Sequence, residues 1–232
     1  KIMEKEKQMS EKYKILNLYA CLGGNRYKWD DVLKQAGLDY EITAVELDQE
    51  LARMYQERFP KDKVIIADAH QYLLDHYKEF DFIWTSPPCP THSKARFWGS
   101  KGGQCNVVYP EMSLYQEIIL LENYYNGLYC VENVSGYYEP LIQAKQRGRH
   151  LYWCNFNLPS ILSNRDDVAI KRGKNEMKNL IEFHDYDFYK YKGSQPLNKI
   201  ARNLVDYEAG RTILETALNI QRENNQKQQL LF

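Results

Sequence analysis

Five short apolar runs punctuate residues 14–133, each followed by turn residues and a longer amphipathic stretch, and this alternation leaves few folds open to the chain. Runs so continuous in apolar residues suit strands buried on both faces, while the stretches between them repeat apolar residues at helical spacing. The pattern predicts an α/β fold with a doubly wound, mostly parallel sheet. Strands are expected at 14–20, 40–46, 63–67, 80–86 and 128–133, and helices at 28–36, 48–58, 69–77 and 112–126. Two further runs, 140–145 and 149–156, are separated only by Gln146, Arg147 and Gly148, too few residues for a crossover but right for a terminal antiparallel hairpin.

Past the hairpin the character changes. Residues 157–197 carry mixed charge, weak periodicity, and Pro159, Gly173, Gly193 and Pro196, which predicts a small appendage on a core of 1–156. Leu204, Ala209, Ile213, Leu214, Ala217 and Leu218 predict a helix over 204–222, within a segment 198–222 that returns to the sheet, and 223–232 reads as a tail. With 31 basic against 31 acidic residues, bulk attraction to phosphate is excluded as a binding mode, so any nucleic-acid contact must use local patches. Five cysteines without CxxC or Cys/His ligand spacing suggest neither a zinc site nor a disulfide framework. No apolar run approaches the roughly 18 residues that span a bilayer, and the opening KIMEKEKQMSEK lacks the apolar core of a signal peptide. The expectation is a cytoplasmic protein with no metal and no membrane partner.

Three predicted strand ends carry groups suited to one ligand. The first runs into Cys21-Leu22-Gly23-Gly24-Asn25, a glycine turn where backbone N–H groups can approach a polar ligand closely. The second ends in Glu46-Leu47-Asp48, where a doubly wound sheet offers a carboxylate to ribose hydroxyls, and the third in Ala67-Asp68-Ala69. Acids at strand ends also serve as helix caps, but three in register favour a shared ligand.

The fourth strand ends in Thr85-Ser86-Pro87-Pro88-Cys89-Pro90-Thr91-His92-Ser93, where open α/β sheets place their active sites. A cysteine fixed by rigid prolines suits covalent attack on carbon, since the backbone presets its direction. A buried packing cysteine is the alternative, against which the ladder-breaking prolines argue. Glu132, in Val131-Glu132-Asn133-Val134, leaves a carboxyl group at the end of an apolar strand, where partial burial favours general-acid duty over capping. Arg147 and Arg149 flank the hairpin turn; a bidentate arginine suits a ring carbonyl or a phosphate, and a solvated basic turn is the alternative.

Taken in order, Tyr19-Ala20-Cys21-Leu22-Gly23-Gly24, Glu46, Asp68, Pro87-Pro88-Cys89 with Ser93, Glu132-Asn133-Val134 and Arg147-Gly148-Arg149 resemble the motif series of the DNA (cytosine-5)-methyltransferases. The likeness covers about 14–156 and resumes at Ala201-Arg202-Asn203-Leu204-Val205, similar to the Gly-Asn-x-Val segment that closes their cofactor pocket. Cys21 and Arg202 stand where that family has glycine and Pro90 where it has glutamine, and the target-recognition region shrinks to 157–197, which makes this a compact member.

The resemblance implies a Rossmann-like methyltransferase using S-adenosylmethionine and releasing S-adenosylhomocysteine. It implies that Cys89 adds to carbon 6 of a flipped-out cytosine, Glu132 serves ring N3, Arg149 holds O2 with Arg147 assisting, and carbon 5 takes the methyl group. Cofactor contacts fall on Tyr19, Ala20, Leu22, Gly23, Gly24, Glu46, Leu47, Asp68, Ala69, Pro87, Leu114, Asn203 and Val205. DNA contacts fall on Ser93, Lys94, Arg96, Lys101, Lys171, Arg172 and Lys174, with 91–110 as a glycine-bearing mobile lid. A tRNA cytosine-5 methyltransferase and a DNA-binding subunit needing a partner chain are the alternatives. At the end of the chain, Gln228 with Leu231 and Phe232 resembles the peptides that dock into bacterial sliding clamps, although Gln229 stands where such peptides have leucine; packing on the chain's own core is the alternative.

Overall fold

In the computed structural model, which describes residues 11–165 and 173–220, seven strands form one sheet in the order β3-β2-β1-β4-β5-β7-β6. The strands are β1 (Tyr13–Leu18), β2 (Tyr40–Glu46), β3 (Lys63–Ile66), β4 (Phe82–Thr85), β5 (Leu128–Val134), β6 (Lys145–Arg147) and β7 (His150–Cys154). β1 to β5 run parallel, and β7 pairs antiparallel with β5.

The continuous apolar runs reflect burial on both faces. Ile15 and its neighbour Leu16 are both fully buried, yet they belong to opposite layers. One layer packs Ile15, Ile42, Phe82 and Trp84 against α1 (Trp29–Gln35) and α8 (Tyr207–Ala217). The other packs Leu16, Val45, Ile83 and Val131 against α3 (Ala69–His76) and α5 (Ser113–Tyr124). Because β1 to β5 run parallel, each delivers its carboxyl end to the same edge.

Two boundaries are corrected, and two of the expected segments contain helices. The hairpin exists, but its first strand is Lys145–Arg147 rather than 140–145, and the turn is Gly148-Arg149, with Gly148 at φ +57. A two-residue hairpin loop with glycine first matches the twist of the flanking strands. Segment 91–110 holds a helix, α4 (Lys94–Lys101), because the Ser93 side chain caps it by accepting from the Arg96 N–H at 3.2 Å. The region expected as an appendage contains α6 (Glu176–His184), and with α7 (Leu197–Asn203) it packs Leu180, Phe188 and Ile200 onto Leu51 and Met54 of α2 (Gln49–Arg58). Finally, the helix expected from 204 begins at Tyr207, because Asp206 caps it by accepting from the Glu208 N–H, and ends at Ala217. No helix among the described residues is long and apolar enough to cross a membrane.

Candidate active site and cofactor edge

The turn after β1 is strained in a way the sequence only hints at. Tyr19 and Cys21 both take left-handed backbone angles, φ +54 and +47, which side-chain-bearing residues rarely adopt. Glu46 fixes this turn: its carboxylate accepts from the Cys21 N–H at 2.8 Å and from the Asp48 N–H at 2.9 Å. Burial pushes the Glu46 carboxyl up from its ordinary range, while the backbone N–H groups of Asp48, Cys21 and Leu47 oppose that. Against these three donors, a carboxylate's roughly four acceptor sites leave room for a further one. Gly23, at φ +66, could not carry a side chain, since a Cβ would stand 2.4 Å from the Phe59 ring. Gly24 is needed for another reason: a Cβ there would stand 2.4 Å from the Val205 carbonyl oxygen. The 203–205 segment therefore closes onto the glycine turn.

The remaining cofactor-edge residues separate by exposure. Ala20, Leu22, Ala69, Pro87 and Leu114 are buried, Tyr19 and Val205 half-buried, and Asp68 and Asn203 exposed. Asp68 caps α3, accepting from the Gln71 N–H at 2.8 Å. Leu47 is 67% exposed beside Glu46, an apolar side chain held out at the sheet edge. Arg202, where the resembling family has glycine, donates to Glu176 at 2.6 Å and joins α7 to α6.

At the end of β4 the nucleophile candidate rests on a pinned turn. The Cys89 carbonyl accepts from the His92 and Ser93 N–H groups, both at 3.0 Å, and the Tyr137 N–H donates to the His92 carbonyl at 3.1 Å. His92 is 3% exposed and its ring shares a hydrogen bond with the Tyr138 hydroxyl at 2.6 Å. The Asn133 amide donates to the Pro87 carbonyl at 3.0 Å, locking the Glu132-Asn133 segment of β5 to the two prolines.

Cys89, Glu132 and Arg149 come together. Burial pushes the Cys89 thiol up, Glu132 adds to the rise, and the cations Arg149 and Lys199 pull against it. Glu132 is 7% exposed, with the His150 Nε2 at 3.7 Å from its Oε1. Arg149 lies in the hairpin turn, where its carbonyl accepts from the Ser135 N–H at 2.8 Å. Arg147 faces away from this group. Its guanidinium donates to the carbonyls of Pro159 at 2.5 Å, Leu158 at 2.9 Å and Gln146 at 2.8 Å, bracing the chain that leaves the sheet.

Lys199 and His150 escaped sequence reasoning. Lys199 lies on α7, far along the chain and outside every motif. His150 follows Arg149 directly and opens β7 opposite Val134, two residues beyond Glu132; its position right after the arginine motif was the available signal.

Of the basic residues expected at nucleic acid, Lys94, Arg96 and Lys101 share α4, immediately after the Cys89 turn. A groove of about 310 Å3 there is lined by Arg96, Phe97, Lys101, Tyr109 and Tyr137 among others, and no acid lines it. The larger cavity, about 600 Å3 between α8 and residues 159–165, shares no residue with the site. Lys174 is exposed just before α6, apart from that helix, while Lys171, Arg172 and the clamp-like terminus lie outside the described residues. Among the described residues there is no cluster of His, Cys, Asp and Glu arranged to hold a metal ion.

Residues 13–140 match the model of the C-5 cytosine-specific DNA methylases. No curated protein matches the chain. Among solved structures, it is similar to a DNMT2 mutant from Spodoptera frugiperda, with 25% identity and a TM-score of 0.38, covering 56% of this chain and 38% of that one. It is also similar to a putative DNA modification methyltransferase encoded within a prophage (E. coli), with 19% identity and a TM-score of 0.34, covering 55% of this chain and 34% of that one. The chain thus spans little more than a third of the length of these two proteins.

Proposed function

Because the chain belongs to the C-5 cytosine-specific DNA methylase family, we propose that it transfers a methyl group from S-adenosylmethionine to carbon 5 of cytosine in DNA. The observation that carries this reading is the convergence of Cys89, Glu132 and Arg149 at one edge of the sheet, from the β4 end, β5 and the β6–β7 turn. The cofactor edge fits the cofactor: Glu46 keeps acceptor capacity for ribose hydroxyls, and exposed Leu47 offers an apolar surface to adenine. When bound, S-adenosylmethionine supplies a methyl group on a positively charged sulfur.

The Cys89 thiolate adds to carbon 6 of the cytosine, and the electron pair of the 5,6 double bond moves to carbon 5. Glu132 holds a proton at ring N3 and Arg149 donates to O2, so charge that develops across N3 and O2 during attack is met by groups already in place. Carbon 5 would take the methyl group from the bound cofactor, the electron pair of the broken S–CH3 bond staying on the sulfur; carbon 5 would then give its proton to solvent, and the electrons freed re-form the double bond as the Cys89 sulfur departs with its own pair. The base must leave the duplex to meet Cys89, at a cost of a few kcal/mol; Lys94, Arg96 and Lys101 on α4 support DNA held next to that turn. Ser93 keeps its hydroxyl proton for a phosphate while capping α4.

Incubation with labelled S-adenosylmethionine and separate DNA and tRNA pools tests the reading. Label at carbon 5 of cytosine in DNA is expected. Label in tRNA alone would move the substrate to RNA, and label in neither pool until a partner chain is added would make this a dependent subunit. Cys89→Ser should lower transfer by several powers of ten, as loss of a nucleophile does, with cofactor binding nearly unchanged; substantial turnover by that variant would exclude the covalent route.

A further inference from the structure

Glu117, on α5, is fully buried and has no part in the chemistry above. Three side chains converge on its carboxylate. The Tyr19 hydroxyl donates to Oε1 at 2.6 Å, the Thr85 hydroxyl donates to Oε2 at 2.6 Å, and the His70 Nδ1 stands 2.9 Å from Oε1. They come from the residue after β1, the last residue of β4 and the first turn of α3. Leu18 and Thr85 are register partners, and between β1 and β4 the strand order reverses. That switch point is where a doubly wound sheet opens its ligand crevice.

Packing does not account for this group. A buried carboxylate costs several kcal/mol of desolvation, which an apolar side chain would avoid. The two hydroxyls are neutral, and the other His70 nitrogen faces the Gln116 side-chain oxygen at 3.1 Å. No lysine or arginine among the described residues pairs with Glu117; its ion-pair contact is with His70, which bears charge only when protonated. Protonated His70 compensates Glu117, since both its ring nitrogens face oxygen acceptors and Glu117 raises its pKa; above that raised value the ring is neutral and the cluster leaves one uncompensated negative charge under the switch point.

We infer that, with His70 neutral, Glu117 is a specificity-determining residue that makes the crevice prefer the positively charged sulfur of S-adenosylmethionine to the uncharged sulfur of S-adenosylhomocysteine, so that the product leaves and the substrate enters. The inference rests on the cofactor proposed above. Its physical basis is that a buried charge is poorly screened, so its field reaches a cationic ligand and leaves the neutral-sulfur one nearly unaffected. The preference belongs to the charge, whereas Tyr19 and Thr85 hold the carboxylate in place.

Direct binding of both compounds to the full chain, measured above the His70 titration, separates these roles. Glu117→Gln should weaken S-adenosylmethionine by about tenfold, with S-adenosylhomocysteine changed by less than about twofold. Tyr19→Phe and Thr85→Val, which keep the charge, should move both ligands together. His70→Lys leaves the buried helix position untouched and sets a fixed positive charge beside Glu117, so it should reduce the preference even if Glu117→Gln does not fold. Equal weakening of both ligands in Glu117→Gln, or an unchanged ratio in His70→Lys, would overturn the inference. If the wild type binds neither compound, the cofactor assignment fails; if it binds both and the variants leave the ratio alone, only the role of Glu117 fails.

Discussion

The thiol proposed as the nucleophile rests in surroundings that disfavour its thiolate form, since burial and Glu132 both push Cys89 up. In the free protein the consequence is measurable by alkylation, whose rate follows the thiolate fraction. Iodoacetamide should modify Cys89 slowly near neutrality, with a pH midpoint above the ordinary thiol value. The signs for variants follow from the charges. Glu132→Gln removes a neighbouring negative charge and should lower the midpoint, whereas Arg149→Ala and Lys199→Ala remove stabilising cations and should raise it. A midpoint that ignores Lys199 would detach α7 from the site. Motif order pointed to Cys89, Glu132 and Arg149, while Lys199 carried no local signal because only the return of α7 places its charge near the thiol.

Between elements, three joints hold the site edge, and each answers to one residue. Gly24 admits the 203–205 segment, so Gly24→Ala must displace Val205 or strain the turn, at about 1–3 kcal/mol and with weaker cofactor binding, readable by melting and titration together. Arg147 braces 158–159 rather than the target base; Arg147→Ala should lower stability by about 1–3 kcal/mol and spare most of the activity, whereas Arg149→Ala should do the reverse. The third joint is His70, linking α3 to α5. Its hydrogen bond to Glu117 raises its pKa above the ordinary histidine value, so the stability it adds is complete below the unfolded value of 6.5 and is lost as pH rises through the folded one. The melting-temperature difference between wild type and His70→Gln should therefore be largest in mild acid and shrink above neutrality. Element type was mostly legible: β1 to β5 follow from continuous apolar runs. What escaped was punctuation: within the expected lid 91–110 the Ser93 cap starts α4, and Gly102 and Gly103 only end it.

Across the whole molecule, 31 basic residues balance 31 acidic ones, so the proposed DNA affinity would have to come from local contacts, for which α4 is the candidate. The logarithm of affinity should fall with the logarithm of salt by about 0.9 per phosphate contact, and Lys94→Ala or Lys101→Ala should each flatten that slope by about 0.9; slopes unchanged in both would remove α4 from the interface. Sequence alone determined the layered sheet, its active edge and the ordered motifs on that edge, because strand burial and turn chemistry are local properties written in period and spacing. Tertiary structure alone decided that Arg149 joins Cys89 while Arg147 turns to Leu158 and Pro159, that Lys199 completes the charges around the thiol, and that Tyr19, His70 and Thr85 meet on Glu117. Those outcomes depend on which distant segments share one small volume, and electrostatic energy is set by distance and burial after folding, which no run of neighbouring residues encodes.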